Sequence, residues 1–157
     1  MKKSIKIIMS IIIIVFLIIV LVAILFQINY TIRYSSAESK CNSIFEYYCE
    51  NIVAETNNYV KASEYLFDNI DDNTLYSTDL INLFERFTEQ SLLFNSAYMT
   101  NTNGTDVIVY NFWKSNGDDF ISNISILYTR DPNFKTEGYT KITENFYGTH
   151  YIIYGHE

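Results

Sequence analysis

The residues whose types could do chemistry are few: the acidic pairs Asp71-Asp72 and Asp118-Asp119, the histidines His150 and His156, and the cysteines Cys41 and Cys49. Two adjacent carboxylates can hold a cation or divide general acid and base work. Each pair, however, sits in sequence that reads as a turn, where solvated carboxylates are ordinary. The histidines stand six apart, with no cysteine at a zinc-ligand spacing and no CxxC. Eight residues separate the cysteines; on one helix that is ~12 Å, too far for a disulfide. They read as two packed thiols, with a Cys41–Cys41 bond between two copies as the alternative. P-loop, HExxH and GxSxG patterns are missing. The expectation is a non-enzyme without catalytic residues, metal or cofactor.

What remains is recognition. Taking Asn103-Gly104 and Asn116-Gly117 as two-residue hairpin turns sets Tyr98 opposite Val109, Ser96 opposite Asn111, Trp113 opposite Phe120 and Asn111 opposite Ser122. On that register Ser96, Asn111 and Ser122 form a polar row across three strands, on a face otherwise made of Phe94, Tyr98, Val107, Val109, Trp113 and the even residues Phe120–Tyr128. A buried polar group without a partner costs ~1–3 kcal/mol. A bound ligand or ordered water would satisfy the row, and so would helix side chains such as Asn82 or Tyr59. Tyr98, Trp113 and Tyr128 would wall a ligand site. Arg130, directly after the third strand, completes the candidate ligand-binding set.

These residues need a sheet, and the sequence supplies one. Phe94–Thr100, Asp106–Trp113 and Asp119–Thr129 alternate in polarity as strands do. The opposite face, with Ala97, Ile108, Tyr110, Phe112, Ile121 and Leu127, is also apolar, although Asp106, Asn123 and Ser125 lie on it. Both faces are therefore expected to be at least partly covered. After Arg130-Asp131-Pro132, Tyr139–Thr143 and His150–Tyr154 read as further strands, with Gly148 or Gly155 as bends.

Upstream the period is helical. From Thr31 to about Ile70 there is no Gly or Pro, and a 3-4 spacing runs Tyr34, Glu38, Cys41, Phe45, Tyr48, Ile52, Glu55, Tyr59, Ala62, Leu66. This seam, wet near Glu38 and drier beyond Cys41, fits a helix packed on its own domain or a parallel homodimer. A second helix is expected from Thr78 or Asp79 to Ser91, burying Leu80, Leu83, Phe84 and Phe87.

Before all this comes Ile7–Phe26, with one polar residue (Ser10) in twenty. As a helix it is ~30 Å long, the thickness of a bilayer's hydrocarbon core. No small-x-small cleavage site follows it closely, so a retained anchor is expected rather than a signal peptide. Lys2, Lys3 and Lys6 place the N-terminus in the cytoplasm. The predicted order is a cytoplasmic 1–6, a transmembrane helix over 7–28, and one extracytoplasmic domain over 29–157, making an α+β, single-pass protein of the cell membrane. Past the apolar run eight bases face eighteen acids, a net charge of −10. Nucleic acid is excluded as a partner on that charge.

An anchor, a long outward helix, a second helix and a strand–turn–strand–strand meander resemble the Cache (PAS-like) sensor domains of bacterial chemoreceptors, sensor kinases and membrane cyclases. The local likeness runs through Leu80–Tyr128, in the segment LINLFERFTEQSLLFNSAYMTNTNGTDVIVYNFW, where a helix leads into a strand and a glycine turn. The resemblance implies the extracytoplasmic ligand-sensing part of a dimeric transmembrane signalling receptor, with the signal passed along the 31–70 helix. Its Arg-x-Trp-Tyr motif for amino acids is missing: Arg130-Asp131-Pro132-Asn133 stands there, so amino-acid recognition does not carry over. A second membrane helix and an output module would lie beyond Glu157. The other expectation is a structural or adhesive anchored protein without ligand or output.

Overall fold

The computed structural model describes residues 2–69, 93–115 and 120–154. The expected helix from Thr78 or Asp79, the pair Asp71-Asp72, Asn116-Gly117, Asp118-Asp119, Gly155 and His156 lie outside the described residues. The architecture is α+β: a long helix α1 (Lys2–Ala54), a helix α2 (Thr56–Asn69), then strands β1 (Leu93–Thr102), β2 (Thr105–Ser115), β3 (Phe120–Thr129), β4 (Thr140–Lys141) and β5 (Phe146–Tyr154). The chain divides into two compact units, 1–36 and 37–157.

The first unit is apolar helix. Every large apolar side chain from Ile7 to Phe26 is exposed, from 37% at Val20 to 71% at Phe26. So much exposed hydrocarbon is strongly unfavourable in water. The segment is long and apolar enough to cross a membrane.

The second unit is a five-stranded antiparallel sheet in the order β1-β2-β3-β5-β4, with helix packed on one face. Cys41, Phe45, Tyr48 and Ile52 recur at helical spacing on α1, and Tyr59, Ser63 and Leu66 continue the stripe on α2; all are buried. They pack on Ala97, Ile108, Tyr110, Phe112, Ile124, Ile126, Tyr128 and Phe146. From Cys41 to Leu66 the seam therefore serves the chain's own sheet, whereas Tyr34 and Glu38 are exposed. Gly148 lies within β5, paired with Ile126 and Thr140, rather than at a bend. A Cβ there would stand 2.7 Å from Phe45 Cε2, so only glycine leaves room for that ring.

The uninterrupted 31–70 helix is corrected: it breaks at Glu55 without Gly or Pro. Side chains compete for the backbone around the break. Asn51 Nδ2 donates to the Tyr47 carbonyl at 2.7 Å, and Thr56 Oγ1 to the Ile52 and Val53 carbonyls at 2.8 and 3.0 Å. Such back-bonding bends and weakens helices, and Thr56-Asn57-Asn58 are poor helix formers.

The first hairpin forms as expected. Asn103 (φ 54°) and Gly104 (φ 83°) supply the two positive φ angles of a type I′ turn, and Tyr98 pairs with Val109 and Ser96 with Asn111. An irregularity between Phe94 and Ser96 sets Phe94 opposite Phe112, so Phe94 and Ser96 no longer keep the even alternation expected of them. The second hairpin differs. Ser115 pairs with Ile121, Trp113 with Asn123 and Asn111 with Ser125. This is three residues from the expected register, and an odd slip exchanges the faces of a strand. The even residues of β3 join Tyr110 and Phe112 under the helices, while Asn123, Ser125 and Leu127 join Asn111 on the outer face.

Candidate functional site

The outer face is partly covered by the chain's own β3–β4 connection. Asp131 shapes its start: its backbone N–H donates to Thr129 Oγ1 (3.1 Å), its carboxylate accepts from the Asn133 N–H (2.8 Å), and its carbonyl accepts from the Phe134 N–H (3.1 Å). This local Asx turn drives Phe134 down onto the sheet. Phe134 is buried among Val107, Val109, Leu127 and Tyr147, and its carbonyl accepts the Tyr147 hydroxyl at 2.8 Å. A small second core thus pins the loop over the ends of β2, β3 and β5.

Beside that core lies a pocket of ≈ 390 Å³. Val109, Asn111, Ser125 and Leu127 belong to its floor, Tyr98 and Thr100 come from β1, Asn123 and Tyr151 from β3 and β5, and Thr136 and Tyr139 from the loop. Among the described residues no Asp, Glu, Lys, Arg or His lines it. A polar row crosses the floor: Ser125 Oγ donates to Asn111 Oδ1 at 2.7 Å, and Asn111 Nδ2 donates to Ser96 Oγ at 3.4 Å. Burial pushes the Tyr139 phenol above its ordinary pKa, and the neighbouring phenols of Tyr98 and Tyr151 add to the effect. Three tyrosines of the lining are therefore close neighbours.

Of the seven residues expected to form a site, the structure brings four to this face. Tyr98 and Asn111 line the pocket, Ser96 is hydrogen-bonded to Asn111, and Trp113 stands two residues further along β2. The other three lie elsewhere. Ser122 is fully buried on the helix side, where it hydrogen-bonds Cys41. Tyr128 donates to Glu64 Oε1 on α2. Arg130 is held by Glu64 Oε2 (Nε at 2.8 Å) and Asp68 Oδ1 (Nη2 at 2.6 Å), with its guanidinium 4.2 Å above the Phe67 ring. Arg130 and Tyr128 thus clasp α2 to the end of β3. The hydrogen bond from Arg130 holds the Glu64 carboxyl below the usual carboxylate range, and that from Tyr128 lowers it further.

Sequence reasoning missed Asn123, Ser125, Thr136, Tyr139 and Tyr151. One signal could have found the first two: sliding β3 so that its polar residues meet Asn111 selects the observed register. Tyr59, offered as a partner for the row, packs in the helix-side core. Cys41 is also buried there, so the alternative of a Cys41–Cys41 bond between copies has no accessible thiol; both cysteines are free. Among the described residues no group of three His, Cys, Asp or Glu side chains is placed to hold a metal.

No family model, no curated protein and no solved structure matches this chain.

Proposed function

We propose that the chain is the extracytoplasmic ligand-sensing part of a membrane receptor, anchored by the helix over residues 7–28 with its N-terminus in the cytoplasm. The observation that carries this reading is the pocket on the outer face: a fixed loop and a sheet enclose hydrogen-bonding side chains away from the helices. A ligand seated there touches β1, β2, β3 and β5 together, and the opposite face of those strands packs on α1 and α2. A small change in the sheet then reaches the helices through the Cys41–Leu66 stripe, and α1 carries it towards the lipid as a small shift or rotation. Because the helix breaks at Glu55, that role would fall to α1 rather than to one rod over 31–70. Dimer contacts would use the exposed stretch before Cys41, including Tyr34 and Glu38.

A second reading, a structural or adhesive anchored protein, is favoured by one fact: the polar row is already hydrogen-bonded internally and needs no ligand. One measurement tests the topology that both readings share, and a second separates them. Protease added to intact cells should digest a C-terminal tag on the full chain; protection until lysis would reject the extracytoplasmic assignment. Asn111→Leu should abolish ligand-induced stabilisation. A variant of raised stability that keeps every ligand-induced shift would dismiss the pocket and leave the structural reading.

A further inference from the structure

The chemistry of the pocket narrows its occupant. We infer that it binds a neutral polyhydroxylated molecule, a sugar or polyol of one or two rings; the inference rests on the outer pocket being the ligand site.

Charge comes first. Among the described residues no Asp, Glu, Lys, Arg or His lines the pocket. Lys135 and Glu137, which flank Thr136 in the loop, are exposed and are not among the lining residues, and Arg130 is committed to Glu64 and Asp68 at the α2 clasp. A carboxylate, phosphate or ammonium entering the pocket would lose hydration without gaining a counter-charge from the lining. The domain's net charge of −10 further opposes an anion. Hydrogen-bonding capacity comes second. Thr100, Thr136, Tyr98, Tyr139 and Tyr151 each bring a hydroxyl that both donates and accepts, and Asn123 brings a whole amide. Asn111, after its bonds to Ser125 and Ser96, keeps one N–H and one lone pair for a ligand. Sugar hydroxyls have the same dual character, so each bond to water exchanges for one to protein. Shape is third. The ≈ 390 Å³ lies at the small end of ligand cavities. Val109 and Leu127 give an apolar patch of floor for the C–H face of a ring, and the tyrosine rings supply more. A purely apolar ligand would strand the amides and hydroxyls.

The test uses the full chain in nanodiscs of phosphatidylethanolamine and phosphatidylglycerol, which contain neither glycoside detergent nor choline headgroups. Saturation-transfer NMR is recorded with glucose, galactose, mannose, ribose, maltose, trehalose and myo-inositol. A charged panel contains glucuronate, glucosamine, glucose 6-phosphate, choline and the common amino acids. At least one neutral compound is expected to bind, with its charged analogue weaker by about tenfold or more. Asn111→Leu and the loop variant Thr136→Val should each weaken it by about tenfold, the loss of one or two hydrogen bonds. A charged compound that binds best, and does so through Asn111, would overturn the ligand class while leaving the pocket standing. Neutral binding indifferent to both variants overturns the inference. Silence from both panels removes the class and the pocket together.

Discussion

Gly148 gives the sharpest test of how the sheet is docked on α1. Replacing it by alanine puts a methyl 2.7 Å from Phe45 Cε2, 3.0 Å from Phe45 Cζ and 2.9 Å from Ile142 Cδ1. The Ile142 methyl is the tip of a flexible chain and can turn aside. Phe45 cannot: its ring is buried and stacks on His150 with centroids 4.5 Å apart. Overpacking of this kind costs about 1–3 kcal/mol. Loss of glycine's freedom in the unfolded chain returns about 0.4–1 kcal/mol. The net destabilisation of Gly148→Ala is therefore about 1–2 kcal/mol, a drop in Tm of about 3–10 °C for a unit of this size. Near-UV circular dichroism melts of the full chain in nanodiscs read the tyrosine-rich core directly. Phe45→Leu alone should also destabilise, because it opens a cavity. It removes the two clashing ring atoms, however, so Gly148→Ala on that background should cost almost nothing. A double-mutant cycle then gives a coupling of about 1–2 kcal/mol. Additive effects, or a Gly148→Ala protein as stable as its parent, would refute the packing of Phe45 on β5.

Three further outcomes follow from the ionisable groups. Glu64 has a lowered folded pKa, so its contribution is present above the ordinary carboxylate value of about 4.3 and is lost as pH falls through the folded value. Both Arg130 and Glu64 are 39% exposed, which limits the clasp to about 1 kcal/mol. Glu64→Gln should show that deficit in urea melts at pH 7, with the gap closing as pH falls through the lowered folded value; a gap independent of pH would contradict the ion pair. Burial raises the Tyr110 phenol, so its stabilisation is present below the unfolded value of about 10 and lost as pH rises beyond it. Tyr110→Phe breaks the 2.8 Å bond to Ser63 and should cost about 1 kcal/mol at pH 7, yet flatten the alkaline loss of stability. An unchanged alkaline limb would place the titration elsewhere. Burial pushes Cys49 up to about 11 and also raises Cys41. Ellman's reagent at pH 8 should therefore react slowly with the folded chain and at once in urea; two thiols titrating within seconds in the native protein would reject their burial.

The parts of the fold legible in the sequence are those where one residue type has one physical reading. Asn103-Gly104 needs positive φ at both positions and flanks two alternating strands, and the turn forms there. The 3-4 stripe from Cys41 to Leu66 announces a helix with one apolar side, and that side lies on the sheet. The break at Glu55 was hidden because Asn51 and Thr56 act by hydrogen-bonding the backbone, which neither Gly nor Pro marks. The covering of the outer face was hidden as well: it depends on Phe134, one aromatic in a polar loop, meeting Val107, Val109, Leu127 and Tyr147, which stand from seven to twenty-seven residues away along the chain.

The second hairpin shows why a wrong register can leave a nearly right site. A two-residue turn at Asn116-Gly117 pairs Ser115 with Asp118, whereas the sheet pairs it with Ile121. That slip moves Ser122 out of the row and Ser125 into it. On one parity β3 offers Phe120, Ile124, Ile126 and Tyr128 against a single Ser122; on the other, Asn123 and Ser125 interrupt Ile121 and Leu127. Burying the first set under the helices removes more apolar surface from water, and leaves the amide and hydroxyl where Asn111 and solvent can reach them. The free energy of the helix-side core thus selects the register, and the polar residues of β3 are left to meet Asn111 across the strand. A pocket of neutral hydrogen-bonding groups on the outer face is then a consequence of packing on the inner one.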